Sequence, residues 1–138
     1  MPFFKAILLI NLYIEQTHKT PEIDFNLSSG KMSISGVSVP ENAHEFYFPV
    51  IEWLQKNIAE FGCENCELDC KISYLNTSSL QFLGDIFFLV DSLKSKISEK
   101  AISINWYYDS YDSDMKETGA DFKDIIDINF NLKEVKIT

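Results

Sequence analysis

The sequence contains no arginine. Its 12 basic residues are all lysines, set against 21 aspartates and glutamates, for a net charge of −9. Such a chain offers no basic footprint to a phosphate backbone, no arginine finger and no bidentate guanidinium clamp. Nucleic acid and membrane insertion are therefore set aside, and proteins or cations are the favoured partners. Glycine is scarce, five residues in 138, and neither GxxxxGK[ST] nor GxGxxG occurs, so phosphate loops are excluded. The two histidines, His18 and His44, sit in no recognisable motif with a serine or cysteine nucleophile, which leaves the usual hydrolytic sets without a base.

Cysteine is also sparse. Cys63, Cys66 and Cys70 make an odd number within eight residues. Cys63-Glu64-Asn65-Cys66 looks like half a zinc site whose second half is missing. Cys66, Leu68, Cys70, Ile72 and Tyr74 alternate with Glu67, Asp69, Lys71 and Ser73, so the cysteines fall on the apolar face of a strand. This usage agrees with a reducing, cytoplasmic compartment and calls for no metal or cofactor. The one apolar run at the start, Phe3 to Ile10, is shorter than the about 20 residues of a membrane span and has no cleavage site after it. From Ile10 to Glu15 apolar and polar residues alternate as in a strand.

What the chain does have is core material: 46% of it is hydrophobic, including 11 Phe, 6 Tyr and 2 Trp. That suffices for a single domain spanning residues 1–138. Glu22–Phe25 and Lys31–Gly36 read as a strand pair around the turn Asn26 to Gly30. Ser38-Val39-Pro40-Glu41 resembles a capping box, followed by a helix burying Phe46, Val50, Trp53, Leu54, Ile58 and Phe61, with Pro49 expected to bend it. A strand from about Cys66 to Leu75 leads into a second helix, about Ser78 to Ile97. Its stripe of Leu83, Ile86, Phe87, Val90, Leu93 and Ile97 is widened by Phe82 and Leu89, with Phe88 further round. Ala101–Tyr108 is a strand, a short helix lies within Asp109–Asp127, and Asp127–Ile137 is the last strand. The order βββαβαβαβ predicts an α/β sandwich: a mixed β-sheet sandwiched with helices, its later strands joined by helical crossovers.

Two segments carry candidate chemistry. Tyr74-Leu75-Asn76-Thr77-Ser78-Ser79 joins a strand to the second helix, where hydroxyls ordinarily cap the helix. The same helix end suits an anion, so a phosphate on Thr77 would meet free N–H groups and the positive end of the macrodipole. Further on, Asp109, Asp112 and Asp114 invite a divalent-metal reading, although their spacing is wrong for a calcium loop. They read first as a solvated acidic loop or helix start, and next as a docking surface for a basic partner. Between Asp109 and Asp127 there are seven acidic residues and two lysines, so five of the nine net negative charges lie in this segment.

The chain resembles the SiaC family of bacterial regulatory phosphoproteins. The resemblance rests on Thr20-Pro21-Glu22-Ile23, the run Ile34 to Asn42, Phe46-Tyr47 through Trp53-Leu54, Tyr74 to Ser79, Trp106-Tyr107-Tyr108 and Asp112-Ser113-Asp114-Met115, in that order. Residues 1–6 stand outside it as an atypical N-terminal extension. The resemblance implies a STAS-like fold, similar to anti-sigma-factor antagonists, and a non-enzymatic switch. It implies phosphorylation of Thr77, within Asn76, Ser78 and Ser79, by a SiaB-like kinase, and dephosphorylation by a PP2C-type phosphatase. The unphosphorylated form would bind an output protein such as a diguanylate cyclase, raising cyclic di-GMP and promoting biofilm. Leu75, Phe82, Phe88, Asp112 and Asp114 are the expected partner contacts. The competing expectations are a constitutive adaptor whose Thr77 is never modified and a metal-dependent enzyme using Asp109, Asp112 and Asp114.

Overall fold

A computed structural model describes residues 11–136. The extension at residues 1–6 therefore lies outside the described residues. The elements are β1 (Asn11–Ile14), β2 (Glu22–Asn26), β3 (Lys31–Ser38), α1 (Ala43–Ile58), β4 (Cys66–Leu75), α2 (Thr77–Asp91), β5 (Ile102–Asp109), α3 (Ser113–Ile125) and β6 (Asn129–Val135). The expected order of strands and helices is the observed one.

The six strands form one mixed sheet in the order β1-β2-β3-β4-β5-β6. The first two pairings are antiparallel and the last three parallel. Each parallel step is made by a helical crossover. With strands added in sequence, three crossovers of the same hand place all three helices on one face. Strand burial follows from this. Leu12, Phe25, Met32, Leu68, Ile104 and Phe130 lie in one row across the sheet and point to the helices. Their neighbours Tyr13, Asp24, Ser33, Asp69, Asn105 and Asn131 form a row on the other face. There Asn105 Nδ2 donates to Asp69 Oδ1 at 2.8 Å and Asn131 Nδ2 to Asn105 Oδ1 at 3.0 Å. A polar ladder of this kind is what a sheet face without a helical cover sustains.

The core is strongly aromatic under α2 and α3. Phe87 meets Trp106, Phe122 and Phe130 edge to face, with centroids 6.2, 4.9 and 5.6 Å away. Trp106 satisfies its indole N–H on the Met115 carbonyl at 2.9 Å, so a buried polar handle ties β5 to α3. The cysteines take the expected place: Cys66 and Cys70 are buried and Cys63 half-buried. Burial pushes the Cys66 thiol up to about 12 and the Cys70 thiol further, so both stay protonated and behave as small apolar groups.

Three local expectations are corrected. The Ser38–Glu41 capping box is not formed, because Asn42 caps α1 by accepting from the Glu45 N–H at 3.0 Å, and Ser38 ends β3 fully buried. Pro49 lies within α1, which continues through it. The second helix ends at Asp91, and a 3-10 turn over Ser92–Ser95 carries the apolar stripe onward to buried Leu93.

The sheet also divides. β4 and β5 pair only from Cys66↔Ile102 to Cys70↔Trp106. Beyond that point β4 follows β3 to Leu75, while β5 follows β6 to Asp109.

Candidate functional site

The Asn-Thr-Ser-Ser motif sits where β4 hands the chain to α2, at the carboxyl edge of the parallel strands. Asn76 is the cap. Its backbone is extended and its Oδ1 accepts from the Ser79 N–H at 3.2 Å and the Ser79 hydroxyl at 2.7 Å. Thr77 therefore begins the helix instead of capping it, and its side chain is exposed, as is that of Ser78. The first turn of α2 carries no acidic residue. Its N–H groups and dipole offer positive potential at Thr77 with no side-chain charge opposing it.

Ser79 points the other way, into a buried hydroxyl cluster. Its Oγ lies 2.8 Å from Ser38 Oγ, which in turn lies 2.5 Å from the Tyr47 hydroxyl. One proton assignment satisfies all of them in sequence: Tyr47 donates to Ser38, Ser38 to Ser79, and Ser79 to Asn76. Burial pushes the Tyr47 phenol up to about 12, so it is a fixed donor. Its ring stacks on Phe82 with centroids 5.6 Å apart. The motif is thus locked from beneath by β3 and α1 while its second and third residues face outward. Sequence reasoning missed Ser38 and Tyr47. The available signal was a tyrosine on the buried stripe of α1, since a buried phenol needs a partner.

Apolar surface flanks Thr77 on both sides of α2. Toward α1, His44 stacks on Phe48 with centroids 5.0 Å apart and meets the edge of Phe82 at 6.2 Å. Phe48 is 49% exposed and Tyr74, at the end of β4, 64%. Toward α3 a groove of ≈ 450 Å³ is floored by Leu80, Gly84 and Phe122, edged by Phe88 and Ile125, and rimmed by Asp85 and Asp121. Phe88 is 49% exposed and Ile125 55%. Helical spacing puts Thr77, Leu80, Gly84 and Phe88 along one stripe, so the groove starts one turn from the threonine. Of the expected contact residues, Phe88 faces this groove, Phe82 is half-buried between Tyr47 and His44, and Leu75 is half-buried at the end of β4.

The aspartates of the second segment have separate local roles. Asp112 caps α3, its Oδ1 accepting from the Met115 N–H at 3.1 Å. Asp109 Oδ2 lies 3.5 Å from the Tyr111 hydroxyl, and Asp114 is exposed in the first turn of α3. Among the described residues, no three His, Cys, Asp or Glu side chains converge as a metal site requires. Also among the described residues, no helix is long and apolar enough to cross a membrane.

Fold and site define a class: a two-layer α/β protein that presents hydroxyls at a helix start between apolar flanks. The family is narrower still. The model described as SiaC family regulatory phosphoprotein matches residues 14–135, and the chain belongs to that family. An uncharacterized protein of Pseudomonas aeruginosa (strain UCBPP-PA14) is 31% identical over 123 residues, 89% of this chain and 95% of that protein. The crystal structure of apo-SiaC from Pseudomonas aeruginosa is 28% identical with a TM-score of 0.74, covering 89% of this chain and 98% of that one. SiaC is also similar as seen in a crystal structure of the diguanylate cyclase SiaD in complex with its activator SiaC from Pseudomonas aeruginosa. There the identity is 31% and the TM-score 0.78, over 90% of this chain and 99% of that one. The family expected from the six sequence motifs is the family found.

Proposed function

We propose that this chain is a non-enzymatic phospho-switch whose unmodified form binds an output protein, a diguanylate cyclase being the partner class indicated by the similar complex. The observation that carries this reading is the exposure of Thr77 at the first position of α2 while Asn76 does the capping. The threonine is accessible to a kinase, and modifying it sacrifices no capping bond. A phosphate there adds about −1.5 to −2 of charge and three acceptor oxygens beside the helix dipole. The helix end tolerates this group; a docked partner does not. A dianion at the mouth of an apolar groove must be desolvated on binding, and it adds to a chain already at −9. With no arginine in the chain to draw the phosphate inward, the switch works by excluding the partner from the surface. A SiaB-like kinase adds the phosphate and a PP2C-type phosphatase removes it.

Intact-mass analysis after co-expression with the kinase encoded nearest the gene tests the first half of the proposal. The expected product carries one phosphate, lost in Thr77→Ala. An unmodified product would favour a constitutive adaptor. The second half is read by calorimetry against the output cyclase. Thr77→Ala should bind as the unmodified chain does, and Thr77→Glu should bind at least about tenfold more weakly. Equal binding by the two variants would defeat the switch.

A further inference from the structure

Parallel strands that part at their carboxyl ends leave a crevice, and crevices at that edge are where open α/β sheets hold ligands. In this chain the fork between β4 and β5 encloses ≈ 370 Å³. Its floor is Ile72, Tyr108 and Met115, all buried. Its walls carry Lys71, the Tyr107 ring and the carboxylates of Asp109 and Asp112. Lys71 Nζ lies 4.9 Å from the centroid of the Tyr107 ring, so this ring face already holds a cation.

We propose that the fork is a socket for an arginine side chain presented by a protein partner. A planar guanidinium that displaces the Lys71 ammonium from the ring uses every part of this lining at once: the Tyr107 face to stack on, carboxylate oxygens to accept its N–H groups, and an apolar floor for its stem. Asp112 commits Oδ1 to the Met115 N–H, which leaves Oδ2 for a second donor. The two carboxylates outnumber the single ammonium of Lys71, and Asp114, in the first turn of α3, adds a further carboxylate at the same edge. The chain has no arginine of its own, so the guanidinium comes from another molecule. A peptide arginine fits better than the free amino acid, whose α-carboxylate would face Asp109 and Asp112. This inference does not depend on modification of Thr77, and its failure leaves the phospho-switch reading untouched.

The test is a two-dimensional amide NMR titration of the intact chain with N-acetyl-arginine methylamide, its citrulline isostere and free arginine. The blocked arginine should give saturable shifts centred on Lys71–Ser73 and Tyr107–Met115, with a dissociation constant of about 1–10 mM as befits one side chain. The neutral isostere should give none. Asp109→Asn combined with Asp112→Asn should weaken binding about tenfold, and the asparagine at position 112 keeps the helix cap. Lys71→Met should tighten binding several-fold by removing the resident cation, a gain that a damaged fold would not produce. Equal shifts with citrulline, shifts centred elsewhere, tighter binding of free arginine, or indifference to both variants would overturn the proposal.

Discussion

The two ends of α2 are built on opposite plans. Its first residue, Thr77, is exposed, and its first turn carries no charged side chain of either sign. Its last residue, Asp91, is buried and fully engaged. Asp91 Oδ1 accepts from the backbone N–H groups of Asp127 and Ile128, both at 3.1 Å. Oδ2 lies 2.9 Å from Lys94 Nζ, and Lys94 reaches Asp127 at 2.8 Å. A carboxylate at a helix C-terminus is electrostatically unfavourable by itself. Here a lysine and two N–H donors offset the cost and fasten the helix to the start of β6. Anchoring one end leaves the other free to take on charge without loosening the fold. That separation is what the proposed phospho-switch requires.

The largest effect that would break this comparison is on stability. Asp91→Ala should cost about 2–4 kcal/mol in urea unfolding, because it leaves the Asp127 and Ile128 N–H groups without their acceptor and takes from Lys94 one of its two carboxylate partners. Thr77→Ala should cost less than about 0.5 kcal/mol in the same assay. Similar losses for both would mean that the ends are not functionally divided. Next in size is Asn76→Ala, which removes the cap and the acceptor for Ser79. It should cost about 1 kcal/mol, with Asn76→Asp largely retaining stability.

The ion pair at the anchored end predicts a pH signature. Lys94 holds the Asp127 carboxyl below its ordinary range, so this contribution is complete above the unfolded pKa of about 4 and is lost as pH falls through the lower folded value. Asp127 and Asp91 raise the Lys94 pKa, so its contribution is complete below about 10.4 and is lost as pH rises through the higher folded value. Melting temperatures measured against pH should show the acid limb flatten in Asp127→Asn. The smallest expected effect is a gain: stoichiometric phosphorylation of Thr77 should stabilise the isolated chain by a few tenths of a kcal/mol through the helix dipole, while binding is lost. Destabilisation on phosphorylation would instead mean that the group is expelled by its surroundings.

Much of the fold was legible because strand and helix periods are local. The alternation from about Cys66 to Leu75 marked β4, whose bounds are those two residues. Where sequence reasoning erred, several residues competed for one role. Ser38 and Asn42 are both good caps for α1, and Asn76, Thr77 and Ser79 all qualify at α2. Leu93 and Ile97 keep the helical stripe although the helix proper has ended, since a 3-10 turn preserves enough of that spacing. The fork between β4 and β5 left no local mark, as it depends on which neighbour each strand follows.

From sequence alone come the acidic balance without arginine, the order of elements, the apolar face of each strand and the family. These depend on composition and on periods of two or a few residues. The tertiary structure decided that Asn76 caps while Thr77 faces out, that Ser79 turns inward to Ser38, and that Asp91 clamps Ile128. Those choices lie between chemically similar neighbours, and they are made by partners 41 and 37 residues away in the chain. Local propensity cannot rank such alternatives, because the energy that separates them belongs to contacts that exist only once the sheet and helices are packed together.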